Sequence, residues 1–243
     1  DEPSVKQRPD IKNVIAELHD SAHQARRGFA MYIPQHNRVT DQEVIAEFIQ
    51  RNSFGILISS EAGVPFATHL PLEYVAREHG EKFLYGHVAR ANKHWRLLEK
   101  DTETLAIFCG PHAYVSAKWY DHVNVPTWNY MTAHAYGKAR VISDHEEVHA
   151  LLKRLVDKNE ATANPSAPYT VEALPPDYLQ REMKGLVAFE IKITRLEANF
   201  KLSQNRDAKN FREVIGKLRA SGEANAQAVA EEMTRIQPEL FQP

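Results

Sequence analysis

The chain has 243 residues, 43% hydrophobic and 26% charged, enough for one large domain or two small ones with a substantial core. Its 30 basic and 32 acidic side chains leave a formal charge of -2, which excludes a chain devoted to neutralising phosphate backbones but not a local basic patch. A single cysteine excludes an intrachain disulfide, no apolar run approaches the roughly 18 residues of a membrane span, and Asp1 to Lys12 is polar, so a reducing, cytoplasmic setting without membrane association is expected.

Residues 1–30 carry only a short apolar stripe, Val14, Ile15 and Leu18, and read as an appended helical arm ahead of a domain opening at Met31. Thr40-Asp41-Gln42-Glu43 predicts a capping box with Thr40 at the cap, ahead of a helical stripe of Val44, Ile45, Phe48 and Ile49. After Asn52 the period changes. Strands are expected over 53–60 and 64–72, joined by Glu61-Ala62-Gly63, and over 82–88. A short helix over 92–100 precedes strands near 103–109 and 112–117. Cys109 ends the apolar run Leu105-Ala106-Ile107-Phe108-Cys109 and is expected to be a small buried hydrophobe.

From Asn129 to Ile142, Met131, Ala133, Ala135, Ala139 and Val141 alternate with polar or aromatic residues, which predicts a long two-faced strand. Ser143 with Glu146 predicts the next helix cap, and Val148, Leu151, Leu152, Leu155 and Val156 its buried face. Residues 164–176 form a proline-containing loop. Alternation resumes over Val187–Ile193 and Leu196–Leu202, and helices over 208–220 and 223–236 finish the chain. A meander of strands with helices inserted predicts an α+β fold, an antiparallel barrel with helices outside. The expected division is an arm at 1–30, a barrel at 31–206 and a C-terminal helical extension at 207–243.

No dinucleotide-binding glycine motif, P-loop or nucleophile elbow occurs among the ten glycines. His145-Glu146-Glu147-Val148-His149 matches the zinc-hydrolase spacing, but with 12 histidines a chance match is easy, and acidic residues in a first helical turn need no metal to explain them. More promising is Leu84 to Trp95. There a strand ends, a loop carries Arg90 and Lys93, and a helix starting near Asn92 would offer free N–H groups to a phosphate; the plain alternative is a cap with solvated cations. Histidines and aromatics gather at 68–71, 111–114, 119–120 and 125–130, and Lys201 to Arg206 ends the last strand with amides and cations.

Six segments occur in order: Met31-Tyr32-Ile33-Pro34, Ala67-Thr68-His69-Leu70-Pro71, Gly86-His87 with Asn92 and Trp95, Gly110-Pro111-His112-Ala113-Tyr114, Val125-Pro126-Thr127-Trp128-Asn129-Tyr130 and Lys201-Leu202-Ser203-Gln204-Asn205-Arg206. Together they resemble the PaiB family of FMN-binding negative transcriptional regulators over about residues 31 to 206. The resemblance implies an antiparallel split β-barrel, akin to the pyridoxamine phosphate oxidase group, that binds FMN at the interface of a homodimer. By position, Thr68, His69, Leu70 and Pro71 would line the isoalloxazine, and His87, Asn92 and Lys93 would hold the ribityl phosphate. Asn129 and Tyr130 would reach across from the second subunit, and Lys201, Gln204 and Asn205 would close the ring edge. Ala91 and Asn92 stand where the wider group often has a serine or arginine, which would weaken phosphate binding. The alternative function on this fold is a flavin-dependent oxidoreductase or a haem-degrading enzyme. Direct DNA binding is doubtful, because residues 207–236 carry five basic and five acidic side chains and the second helix holds mostly acids.

Overall fold

The structure, a computed structural model, describes residues 30–241. The arm expected over 1–30 lies outside the described residues, save residue 30. The chain falls into two compact units, 1–34 and 35–243. Residues 30–34 of the first hold no helix or strand, and every described helix and strand belongs to the second.

The elements of that unit, in chain order, are β1 (Arg38–Val39), α1 (Gln42–Arg51), β2 (Phe54–Glu61), β3 (Val64–Pro71), β4 (Glu73–Ala76), β5 (Lys82–Ala89), α2 (Trp95–Leu98), β6 (Glu103–Val115), β7 (Thr127–Ile142), α3 (His145–Ala163), α4 (Pro176–Lys184), β8 (Leu186–Lys201), α5 (Ala208–Ala220) and α6 (Ala224–Ile236). All strand pairs are antiparallel, in the order β3-β2-β6-β7-β8-β5-β4, with β1 also on β8. The fold is the antiparallel split β-barrel, α+β, that the strand meander predicts.

β8 organises the barrel. One edge pairs with β7 along most of its length, while the other carries β5 over residues 186–192 and β1 at 198–199. Between these partners the register with β7 slips: Tyr136 faces Arg195, Gly137 faces Ile193, and Thr194 is the extra residue, its hydroxyl donating to Tyr136 O at 3.2 Å. Gly137 makes the slip possible, since a Cβ there would lie 2.2 Å from the Lys192 carbonyl oxygen.

The barrel interior is one large apolar cluster that includes Phe48, Phe108, Phe189 and Phe200, and α5 and α6 join it through Phe211, Val214, Leu218, Val229 and Met233. The helices after residue 206 are therefore part of the same core, and no unit boundary falls there. A smaller core lies outside the barrel, where α3 and α4 cover β5 and β8 through Val148, Leu151, Met183, Phe83, Tyr85 and Ala188.

Several local expectations need correction. Asp41, not Thr40, caps α1, accepting from Glu43 N at 2.9 Å and Val44 N at 3.3 Å. Asp144, not Ser143, caps α3, accepting from Glu147 N at 2.9 Å. In both places a carboxylate follows the hydroxyl, and its charge suits a helix N-terminus better. Residues 103–115 are one strand with a bulge after Cys109, and 186–201 are one strand as well. Cys109 is exposed, because alternation turns Phe108 inward and the cysteine outward. The loop read over 164–176 ends in α4, whose Pro176 occupies the first helical turn, where its missing N–H costs nothing.

Two glycine substitutions test this reading. Gly137→Ala should destabilise the fold by about 1–3 kcal/mol or more, because backbone must move to admit the methyl. Gly216→Ala, in an exposed interior position of α5 with nothing within 4 Å of its Cβ, should stabilise by about 0.5–1 kcal/mol. Urea unfolding monitored by fluorescence measures both, and similar effects at the two sites would refute the steric argument.

Candidate functional site

β5 ends at Ala89, and the chain turns through Arg90 to Lys93 before the single turn of α2. A compact polar network holds this turn on the barrel rim. His94 is fully buried; its Nδ1 is hydrogen-bonded to the Thr68 hydroxyl at 2.8 Å and its Nε2 to the buried Ser59 hydroxyl at 3.0 Å. Asn92 completes the ring, donating from Nδ2 to Thr68 Oγ1 at 3.2 Å and accepting from the His94 backbone N–H at 3.0 Å. The edge of Phe66 abuts the imidazole, with centroids 5.0 Å apart. Burial lowers the His94 pKa, so the ring is neutral and offers one donor and one acceptor to its two hydroxyls. The Trp95 indole N–H donates to Arg90 O at 3.0 Å and closes the turn.

Of the predicted positions, Thr68 and Asn92 thus belong to this network, and Lys93 stands exposed beside them with no ion-pair partner among the described residues. Sequence reasoning missed His94 and Ser59. The only signal is a serine among the inward-facing residues of β2, which demands a polar partner. The helix expected from Asn92 begins at Trp95 and makes one turn. So short a helix has almost no dipole to offer an anion.

His69, Pro71 and His87 lie on the outer face. Continuing the β4–β5 register back from Glu73 opposite Tyr85 by two residues sets Pro71 beside His87. His87 Nδ1 is buried without a hydrogen-bond partner among the described residues, and desolvation lowers its pKa. Leu70 points the other way, buried in the core, and leaves only its backbone to a ligand. β3 is an edge strand of the sheet, so backbone groups along it face outward unpaired by β2.

The remaining predicted residues form a second group at the far end of β7 and β8. Asn129 is fully buried, donating from Nδ2 to Ser203 Oγ at 3.0 Å and accepting from that hydroxyl at 3.1 Å. Its amide is consumed inside its own chain and is not free to reach a partner's ligand. Gln204 is likewise occupied, accepting from Leu202 N at 2.7 Å and donating to Phe200 O. The Tyr130 hydroxyl accepts from Asn199 Nδ2 at 3.0 Å on the outer face, and Lys201 donates to Thr127 Oγ1. Asn129, Lys201 and Asn205 line a cavity of about 210 Å³ together with Arg206 and His36. Among the described residues no hydrogen bond or ion pair joins the two groups, so within one chain they stay apart. Nor is any cluster of three or more His, Cys, Asp or Glu side chains among those residues placed to hold a metal ion; His145 and His149 have no third ligand there.

Comparisons with known proteins bear on this arrangement. The family model described as "Putative FMN-binding domain" matches residues 31–195. The chain is 40% identical over 203 residues to the protease synthase and sporulation protein PAI 2 of Bacillus subtilis, covering 84% of this chain and 96% of that one. It is 28% identical to an uncharacterized protein of Emericella nidulans, covering 72% and 84%. Among solved structures, the flavocytochrome Anf3 of Azotobacter vinelandii matches with a TM-score of 0.54 at 19% identity over 70% of this chain and 72% of that one. A FAD and heme binding protein of Mycobacterium smegmatis matches with a TM-score of 0.52 at 15% identity, over 72% and 78%. At such identities these two show the fold alone. The family match and the Bacillus relative go further: the chain belongs to the FMN-binding domain family, and FMN is its cofactor.

Proposed function

We infer that the chain is a flavin-dependent regulatory protein similar in role to the sporulation protein it resembles, and that it binds FMN between two copies of itself. The observation that carries the cofactor half of this reading is the turn at Asn92 and Lys93, where a buried neutral histidine anchors an exposed ammonium on the barrel rim. Lys93 and Asn92 would hold the phosphate, and His69, Pro71 and the orphaned nitrogen of His87 would face the ribityl chain and ring. Bound FMN supplies redox chemistry that no side chain here could perform. The protein's own part is to fix the flavin and to limit water at its ring.

Two features support the homodimer. The predicted residues fall into two half-sites, which a two-fold axis can combine between copies. The outer face of β6 and β7 presents Trp128 and Tyr114, 53% and 48% exposed, and further along the same face of β7 His134 Nδ1 is buried without a hydrogen-bond partner among the described residues. On that face Tyr130, unlike the buried Asn129, would reach a second copy.

Direct DNA reading by α5 and α6 is disfavoured by how their charges are spent. Glu232 pairs with Arg51 of α1 at 2.7 Å and with Arg235 at 2.7 Å, and Arg235 also reaches Glu47 at 3.2 Å. The helix that would enter a groove is tied to α1 and the barrel. Regulation therefore runs through a partner or through the flavin. Among the described residues no helix is long and apolar enough to cross a membrane.

Three measurements test this. Lys93→Ala should weaken FMN about tenfold, by loss of a charge-assisted contact, and leave riboflavin nearly unchanged; equal weakening of both would remove Lys93 from the phosphate. Light scattering of the FMN-loaded protein at micromolar concentration should give twice the chain mass, and a flavin-bearing monomer would refute the shared site. Duplex DNA should bind weakly in a salt titration; tight binding with a steep salt slope, lost on deleting residues 207–243, would reverse the reading of the C-terminal helices.

A further inference from the structure

The smaller core does not close. Where the first turn of α3, the last turn of α4 and the start of β8 meet, a cavity of about 590 Å³ opens to solvent. That lies within the ~300–1,000 Å³ range typical of small-molecule sites. Val148 from α3, Met183 from α4, Leu186 and Ala188 from β8 and the indole of Trp95 form its walls. None of these is among the flavin positions.

The lining is charged as well as apolar. Arg90 and Lys184 are two cations there, against one carboxylate, Glu99, with His145 nearby. Arg90 is held rigidly: its Nε donates to Lys184 O at 2.7 Å, its Nη2 to Leu186 O at 2.9 Å and its backbone N–H to Gly185 O at 2.8 Å. All three acceptors are neutral carbonyls, and neither Arg90 nor Lys184 forms an ion pair among the described residues. A cation at residue 184 suits the C-terminal end of α4, and Arg90 braces the chain between α4 and β8. Neither role accounts for an apolar cavity lying between them.

We propose that this cavity binds a small amphipathic anion, a carboxylate with an apolar tail, distinct from the flavin. The carboxylate pairs with Lys184 and the fixed guanidinium of Arg90, and the tail lies on Val148, Met183 and Trp95. Charge complementarity selects the class. An alcohol with the same tail gains only the apolar contact, and an amine meets two like charges.

The test uses the full-length, FMN-loaded protein and three ten-carbon probes, decanoate, decanol and decylamine, measured by calorimetry and by displacement of anilinonaphthalene sulfonate. Decanoate should bind once per chain and about tenfold tighter than decanol, as expected when a charge-assisted contact is added to the same tail, with decylamine weakest. Lys184→Gln, an exposed change that leaves the fold intact, should remove most of that advantage while leaving decanol unchanged. Val148→Trp should fill the cavity and exclude all three probes while FMN is retained. Equal binding of decanoate and decanol, no saturable binding up to millimolar probe, or indifference to Lys184→Gln would overturn the proposal. So would stoichiometric displacement of decanoate by FMN from the flavin-free protein, since the cavity would then belong to the flavin.

Discussion

The barrel depends on one close backbone approach, that of Gly137 on β7 to the Lys192 carbonyl on β8. The missing side chain lets the two longest strands slip by one residue while staying paired. A strand of 16 residues that kept perfect register would have to serve one set of neighbours along its whole length. Beside the slip, β8 ends its pairing with β5 at Lys192 and takes up β1 further along. The outer helices cover one half of the sheet, and the aromatic face occupies the other.

Much of this is legible in the sequence. Strict alternation from Asn129 to Ile142 marks β7 because Met131, Ala133 and Ala135 point inward while their neighbours point out. The stripes of α1, α3, α5 and α6 are read equally directly. What escapes is local competition and long-range pairing. Between Thr40 and Asp41, or Ser143 and Asp144, spacing alone cannot say which side chain caps, and the carboxylate wins both times. Cys109 faces out where a buried position is expected, because an apolar run has no phase until its register is known. The short helix α4 is hidden by its prolines, which serve helix starts as readily as loops.

The site is legible in a different sense. Thr68, expected at the ring, and Asn92, expected at the phosphate, share one hydrogen-bond network, and the residue that assembles it, His94, has no chemical signature in the sequence. Its role rests on Ser59 and Thr68, which are distant from it in the chain and adjacent only through the β2–β3 hairpin. Asn129 and Gln204 show the converse. Polar residues in a shared motif need not face a ligand, since both spend their amides securing the turn after β8, where Ser203 adopts a positive φ of 63°. Shared motifs record what a fold needs as much as what a cofactor needs.

The late position of β8 in the chain has a consequence for biosynthesis. β5 pairs with it through Ala89 opposite Leu186, so β5 leaves the ribosome with its main partner still untranslated. At about 5–20 residues per second, roughly a hundred intervening residues delay that pairing by on the order of 5–20 seconds. During that interval the nascent chain carries β2, β3 and β5 with open edges, and β7 is made before the strand that will cover its second edge. The barrel cannot close stepwise from its N-terminal end. The pairings that close it, of β8 with both β5 and β7, wait until β8 has been made.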